Sequence, residues 1–322
     1  MEQTMIGKYA TSAVASMIAV LGTLSAHAQQ APATKSSSVQ QASFDRASRD
    51  PQQTVRFGQR TARVGDEVEQ TVSLEMRLAT SLRQGNELIE KNQTMVRSAQ
   101  RRVVATTEVD QDRPTAVLVR YLEATKQLAA DDLAAAPTPA IQPVQGKAYR
   151  CRRAPGDDEK LIITDENGQT PPPDDYEIVA QNMEMVGRPN PLAKFLAGRS
   201  VAVGETVKLP KELADQLFNL GDRFGEVTRF DLVLEKVETS DEMPCAVFLA
   251  RVEAASNGSS QMRMQMEGPL VMQIDTCRAV RLSLSGPIGM SETRGSYSTA
   301  YQLIGTGQLK TSIDSSYRDA KR

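Results

Sequence analysis

The stretch Val72-Ser-Leu-Glu-Met-Arg-Leu-Ala-Thr-Ser-Leu82 decides how the chain is read. Val72, Leu74, Met76, Leu78 and Leu82 share one parity, while Ser73, Glu75, Arg77 and Ser81 take the other. Side chains alternate across a strand, so a period of two describes a β-strand with one buried face and one wet face. Arg83-Gln-Gly-Asn86 is a turn that reverses the chain into a second long strand, and residues 101–109 and 115–123 read as further strands around Asp110-Gln-Asp-Arg-Pro114. Consecutive strands joined by short turns predict an antiparallel meander.

Beyond this N-terminal β region, 43–128, residues 129–146 are rich in Ala, Pro and Asp and read as a linker. A C-terminal β region, 147–309, begins with strand pattern at Lys147–Arg153 and Leu161–Thr164. The period then changes over 174–220. Asp174 with Glu177 three residues later fits a capping box, Val179, Met183 and Val186 share a helical face, and Gly187 suits the end. Asn190-Pro191 opens a second helix that Gly198 closes, and Pro210 opens a third carrying Leu213, Leu217 and Leu220 before Gly221. Strands return at 226–238, 244–255, 260–275, 279–286 and 296–309, broken at Thr239-Ser-Asp241, Asn257-Gly258, Asp275-Thr276 and Gly286-Pro287. Residues 310–322 read as a polar tail. The expected fold is α+β: long antiparallel β-meanders forming a curved sheet or half-barrel, with a central three-helix insert. Val64-Gly-Asp-Glu-Val68 is echoed by Val203-Gly-Glu-Thr-Val207, each ahead of a strand, a match too short to separate a repeat from coincidence.

The N-terminus has the three parts of a secretory signal: a charged start ending at Lys8, the apolar run Ala13–Leu24 and the A-x-A site Ala26-His27-Ala28. Residues 1–28 are expected to be cleaved between Ala28 and Gln29, placing the protein in the periplasm or the medium. The apolar run is shorter than the roughly 20 residues a membrane span needs, and no transmembrane segment is expected in the mature chain. Residues 29–42, Gln-Gln-Ala-Pro-Ala-Thr-Lys-Ser-Ser-Ser-Val-Gln-Gln-Ala, lack the apolar surface to order and read as a disordered linker. Removing 1–28 takes out one acid, Glu2, and one base, Lys8, so the formal net charge stays at -2. That balance gives no electrostatic reason to expect nucleic acid as a partner.

The single histidine, His27, lies inside the expected signal, and the chain has no Trp. Ser-His-Asp and Cys-His nucleophile systems and His-containing zinc sites are therefore excluded from the expected mature chain. Neither a G-x-S-x-G, an S-x-x-K, a Walker nor a dinucleotide glycine pattern occurs. The chain is read as non-enzymatic, with no cofactor.

Several clusters need weighing. Cys151, Cys245 and Cys277 lie in an expected export product, and the hairpin reading puts Cys245 and Cys277 at one end, making them the preferred disulfide. Met262, Met264 and Met266 repeat with period two, and Met183 and Met185 form a second pair. Thioethers can hold copper(I), but this spacing more simply lines one sheet face with flexible apolar side chains. Asp165-Glu-Asn-Gly168 matches part of a calcium loop, yet Ile163 stands where the first carboxylate belongs, so a hairpin turn is the better reading. Arg150, Arg152 and Arg153 are followed by Asp157, Asp158 and Glu159 and read as a solvated strand end. The pairs Asp131-Asp132 and Asp174-Asp175 read as turn and cap residues rather than a glycoside-cleaving pair. Asn92-Gln-Thr94 and Asn257-Gly-Ser259 fit the glycosylation acceptor pattern.

With the long strands, the helical insert and the export signal, the stretch Leu196-Ala-Gly-Arg-Ser-Val-Ala-Val-Gly-Glu205 resembles secreted bacterial β-rich proteins of domain-of-unknown-function type. More distantly the architecture is similar to the half-barrels of periplasmic lipoprotein carriers, a resemblance that implies an apolar concavity for acyl chains. The resulting expectation is a protein that binds a lipid-like or hydrophobic ligand in the concavity of a curved sheet, with Met262, Met264 and Met266 as apolar lining. The alternative partner is an envelope protein, contacted in a structural or interaction role through sheet edges and charged turns. A carboxylate-based hydrolase is a third reading, which requires a deep cleft with two inward acids.

Overall fold

A computed structural model describes residues 53–110, 113–130, 137–154, 160–218, 225–240, 242–256, 260–294 and 300–320. Strands β2 (Glu67–Gln84), β3 (Glu87–Asp110) and β4 (Arg113–Ala130) form the first meander, followed by β5 (Ala140–Ile141), β6 (Ala148–Arg153) and β7 (Leu161–Asp165). Helices α1 (Pro173–Asn182) and α2 (Pro191–Leu196) come next, then the short strands β8 (Ser200–Ala202) and β9 (Thr206–Lys208) and helix α3 (Lys211–Phe218). The second meander runs through β10 (Glu226–Ser240), β11 (Met243–Ala255), β12 (Ser260–Gln273), β13 (Ala279–Arg294) and β14 (Tyr301–Arg318).

All of these strands except β8, which pairs with β1 (Thr54–Arg56), join one antiparallel sheet in the order β7-β6-β4-β3-β2-β14-β13-β12-β11-β10-β9, with β5 on β4. The sheet is curved and does not close into a barrel. The chain is thus α+β, with the long meanders and the three helices that the alternation and the capping residues predict. Its two β regions are halves of a single sheet. The seam between them is β2 on β14, in register from Glu67↔Arg318 to Gln84↔Tyr301.

Residues expected to be a polar tail belong to this seam. Thr311, Ile313 and Ser315 face inward opposite Leu74, Val72 and Gln70, and all three are buried. Thr311 and Ser315 hide the apolar alternation, although the Thr311 hydroxyl is satisfied by donating to the Ser73 carbonyl at 3.2 Å. Residues 87–110 are one strand without a break at 100. The stretch 137–146, inside the expected linker, is bound along β4: Gln142 N donates to Ala124 O, Gly146 N donates to Tyr121 O, and Val144 is fully buried.

The curvature has a local cause. Gly268, Gly286 and Gly307 stand on adjacent strands, and a Cβ on any of them would fall within about 2 Å of a neighbouring strand's carbonyl oxygen. Only glycine allows strands to fold over one another this closely. The sheet therefore curls toward the face that carries Leu270, Leu284, Leu282 and Leu232, which with β2 and the helices form the main core.

The echo at Val64 and Val203 is a shared turn. Gly65 and Gly204 both have positive φ, at 87° and 88°. Gly65 N donates to Thr106 O while Thr106 N donates to Asp66 O, and Gly204 and Glu205 repeat both bonds with Leu234. Each turn launches a strand, β2 or β9, against its antiparallel partner, so the motif has the same backbone use in both halves. Among the described residues no helix is long and apolar enough to cross a membrane.

Candidate functional site

The concave side of the sheet is the surface that the sequence assigns to a ligand. Met262, Met264 and Met266 all face it, Met264 and Met266 buried in the main core and Met262 partly buried against it. Helices α2 and α3 cover this area with Leu192, Leu196, Leu217 and Phe218, and Phe57 stacks on Phe248 with ring centroids 5.8 Å apart. Each such side chain contributes about 1.5–3 kcal/mol when fully buried. Period-two methionines are here the flexible filling between a curved sheet and its helical cover.

The other half of the concave side is different. On β3, Ser98, Gln100, Arg102 and Val104 take the inward parity between Val96 and the strand's end, and all are buried. Arg102 is 0 % exposed, opposite Gln70 on β2 and Tyr121 on β4. Its Nε donates to Gln70 Oε1 at 3.2 Å, but its two Nη atoms are buried without a hydrogen-bond partner. Burial lowers the Arg102 pKa, while the neighbouring Tyr121 pulls the other way. Burial likewise pushes Tyr121 up to about 12, with the Arg102 charge opposing it. An unpaired buried charge costs several kcal/mol, so a guanidinium in this position calls for a reason.

Helix α1 sits over this polar island and is held at both ends by buried polar side chains. Near its start, Asp175 accepts from Lys147 Nζ at 2.7 Å and from Tyr149 Oη at 2.6 Å. At its end, Asn182 Nδ2 donates to Gln100 Oε1 and to Tyr121 Oη, both at 3.0 Å. Between them Val179 packs with Val117, Val119, Cys151 and Ile163 in a smaller apolar core. The capping box is absent: Pro172 is the N-cap, without a side-chain bond, and Asp175 turns inward instead. Met183 and Val186 are buried as the spacing predicts, though they lie in the turn after the helix. Arg153, expected at a solvated strand end, is buried and donates to the Val186 and Glu184 carbonyls. Lys126, half-buried, has its pKa lowered by burial and is opposed by Glu177 on α1.

The remaining sequence candidates are placed as follows. Cys151, Cys245 and Cys277 are buried and none is in a disulfide, so the expected Cys245–Cys277 bridge is not formed. Cys245 packs with Val247 and Val271 on the convex side, whereas Cys277 belongs to the concave core, and the sheet separates them. Asp165 accepts from Asn167 N and Gln169 N, closing a turn between β7 and α1 and not a hairpin. Asn92 lies on β3 and donates to Glu90. The cleavage site Ala28–Gln29, Asp131-Asp132 and Asn257 lie outside the described residues. Among the described residues, no group of three or more His, Cys, Asp or Glu side chains is placed to hold a metal.

Two of the protein's clefts bear on the ligand reading. One of about 240 Å³ is lined by Glu69, Glu238, Asp314 and Arg281 among others. The other, about 30 Å³, lies beside Arg60, Asp66, Arg278 and Tyr317. There Asp66 pairs with both arginines and accepts from Arg63 N and Ala320 N, tying the residues before β2 to the end of the chain. Sequence reading missed Arg102. Its signal was available as a charge on the same parity as Val96 and Val104.

No family model and no curated protein matches the chain. Among solved structures it is similar to a lipovitellin described for lipid–protein interactions, at TM-score 0.39 and 8% identity, covering 80% of this chain and 26% of that one. The chain thus spans about a quarter of the lipovitellin. A LolA superfamily protein from Nitrosomonas europaea gives TM-score 0.13 and 10% identity, covering 77% of this chain and 87% of the other. MucB in complex with MucA gives TM-score 0.09 and 11% identity, covering 74% and 88%. All three are loose likenesses.

Proposed function

We propose that this is an exported, non-enzymatic binding protein that holds a hydrophobic, lipid-like molecule against the concave side of its sheet, beneath the helical cover. The observation that carries the reading is the construction of that side. The apolar surface around β10–β13 is roofed by the short helices α2 and α3 and by the two-stranded β1–β8 pair, with flexible Met262, Met264 and Met266 in the same core. Roof elements this short can shift, and the methionines can repack around a ligand. Leu128, on the concave side near the end of β4, is 41% exposed and leaves an apolar edge at which a ligand can enter.

Native mass spectrometry of the chain purified gently from periplasm or medium, beside a denatured control, tests this. A discrete extra mass of lipid size, released on denaturation, is the expected result. A second reading is carried by the clefts. Neither borders the methionine row, and Met264 and Met266 are themselves buried in the packed core. A core that stays filled describes a structural or interaction component of the envelope, and a bare mass unchanged by denaturation favours it.

A further inference from the structure

Resting on the reading above, we infer that the polar island around Arg102 is a head-group site, which takes the carboxylate or phosphate end of an anionic amphiphile whose chain lies along the apolar row of β2. The other well-covered arginines have acids or carbonyls beside them. Arg60 and Arg278 pair with Asp66 and Asp319, and Arg153 donates to two carbonyls. Arg102 is more deeply buried than any of these, makes no ion pair among the described residues, and has both Nη atoms without a partner. Its hydrogen-bonding and opposing neighbours, Gln70 and Tyr121, are neutral.

A guanidinium presents parallel N–H groups in a planar fork that fits the two oxygens of a carboxylate or phosphate. Here the side bonded to Gln70 is Nε, and the Nη atoms are the ones left for an anion. The surroundings select an amphiphile over a bare ion. From Gln70 the concave face of β2 continues through Val72, Leu74, Met76 and Leu78, an apolar run of about 20 Å at 3.3 Å per residue. Helix α1 closes the island through Asn182, which bonds Gln100 and Tyr121, so an entering head group displaces a polar contact and not an apolar one.

Calorimetric titration of the mature chain at pH 7 with dodecanoate, dodecanol and inorganic phosphate, repeated on Arg102→Met, tests the site. Dodecanoate is expected to bind at least tenfold more tightly than dodecanol, about 1.4 kcal/mol, and the variant loses that preference while keeping dodecanol. The variant is expected to melt no lower than the parent, because it removes a buried unpaired charge. Should it fail to fold, the dodecanoate-to-dodecanol ratio of the unaltered chain decides. Equal affinity for the two alkyl probes overturns the head-group site and leaves the hydrophobic-ligand reading standing. Binding of neither overturns both. Phosphate alone binding as tightly as dodecanoate assigns the island to a free anion and overturns the amphiphile.

Discussion

The two halves of the sheet solve the same problem with different chemistry. Around β10–β13 the concave side is sealed by α2 and α3 mainly through Leu192, Leu196, Leu217 and Phe218, with Asp215 of α3 accepting from Val227 N. Around β3–β7 it is sealed by α1, whose Asp175 and Asn182 reach into a floor made of Gln100, Arg102, Tyr121 and Tyr149. Apolar contacts scale with area and tolerate repacking, whereas buried polar contacts fix one arrangement and penalise others. The first half is therefore where stability resides, and the second is where recognition can be specific.

The largest effect expected from that contrast is at Phe248, fully buried and stacked on Phe57. Phe248→Ala should lose about 3–5 kcal/mol in urea unfolding. A loss under about 1 kcal/mol would break the assignment of stability to the apolar half. Asn182→Ala, in the polar half, strands Gln100 and Tyr121 and should cost about 1–3 kcal/mol. Hydrogen exchange sharpens this prediction, since the loss of protection should be concentrated in α1 and its floor.

The buried thiols give a pH test with a definite sign. Burial pushes Cys151 and Cys277 from 9.0 up to about 12, so the folded state holds these protons more tightly than the unfolded chain. Their contribution is complete below pH 9 and is lost as pH rises toward 12, by about 1 kcal/mol each at pH 10. Native protein at pH 7 should leave all three cysteines unlabelled by a thiol reagent, and unfolded protein should label all three. The smallest effect is on the convex side. Arg281 and Asp314 are 63% and 56% exposed, and Asp314→Ala should change stability by less than about 0.5 kcal/mol.

Much of the fold was legible because β2 over 72–78 and β12 over 262–266 keep a period of two with large apolar side chains. The α1, α2 and α3 positions were legible from Pro, Gly and apolar spacing, and Asn190 caps α2 as read, its side chain accepting from Ala193 N. Strand β14 was cut short because Thr311 and Ser315 occupy inward positions, and composition does not reveal a hydroxyl satisfied across a seam 238 residues away in sequence. The cysteine pairing failed because hairpin register fixes which residues lie at one end, while the face each side chain takes depends on the turn at 274–277. Cys277 itself adopts positive φ, 51°, at that turn. Of the candidate site, the methionine row was readable and the polar island was not. A lone inward arginine looks like a surface charge until the strands on both sides show that its face is covered.

Hydrogen–deuterium exchange with peptide resolution tests the central claim, that a movable helical cover lies over a rigid sheet. Amides of α1 and α2 are expected to exchange at least tenfold faster than those of β11–β13, and dodecanoate is expected to narrow the gap. Exchange of the helices at the same rate as the central strands, with or without dodecanoate, would show one inseparable core and contradict the account.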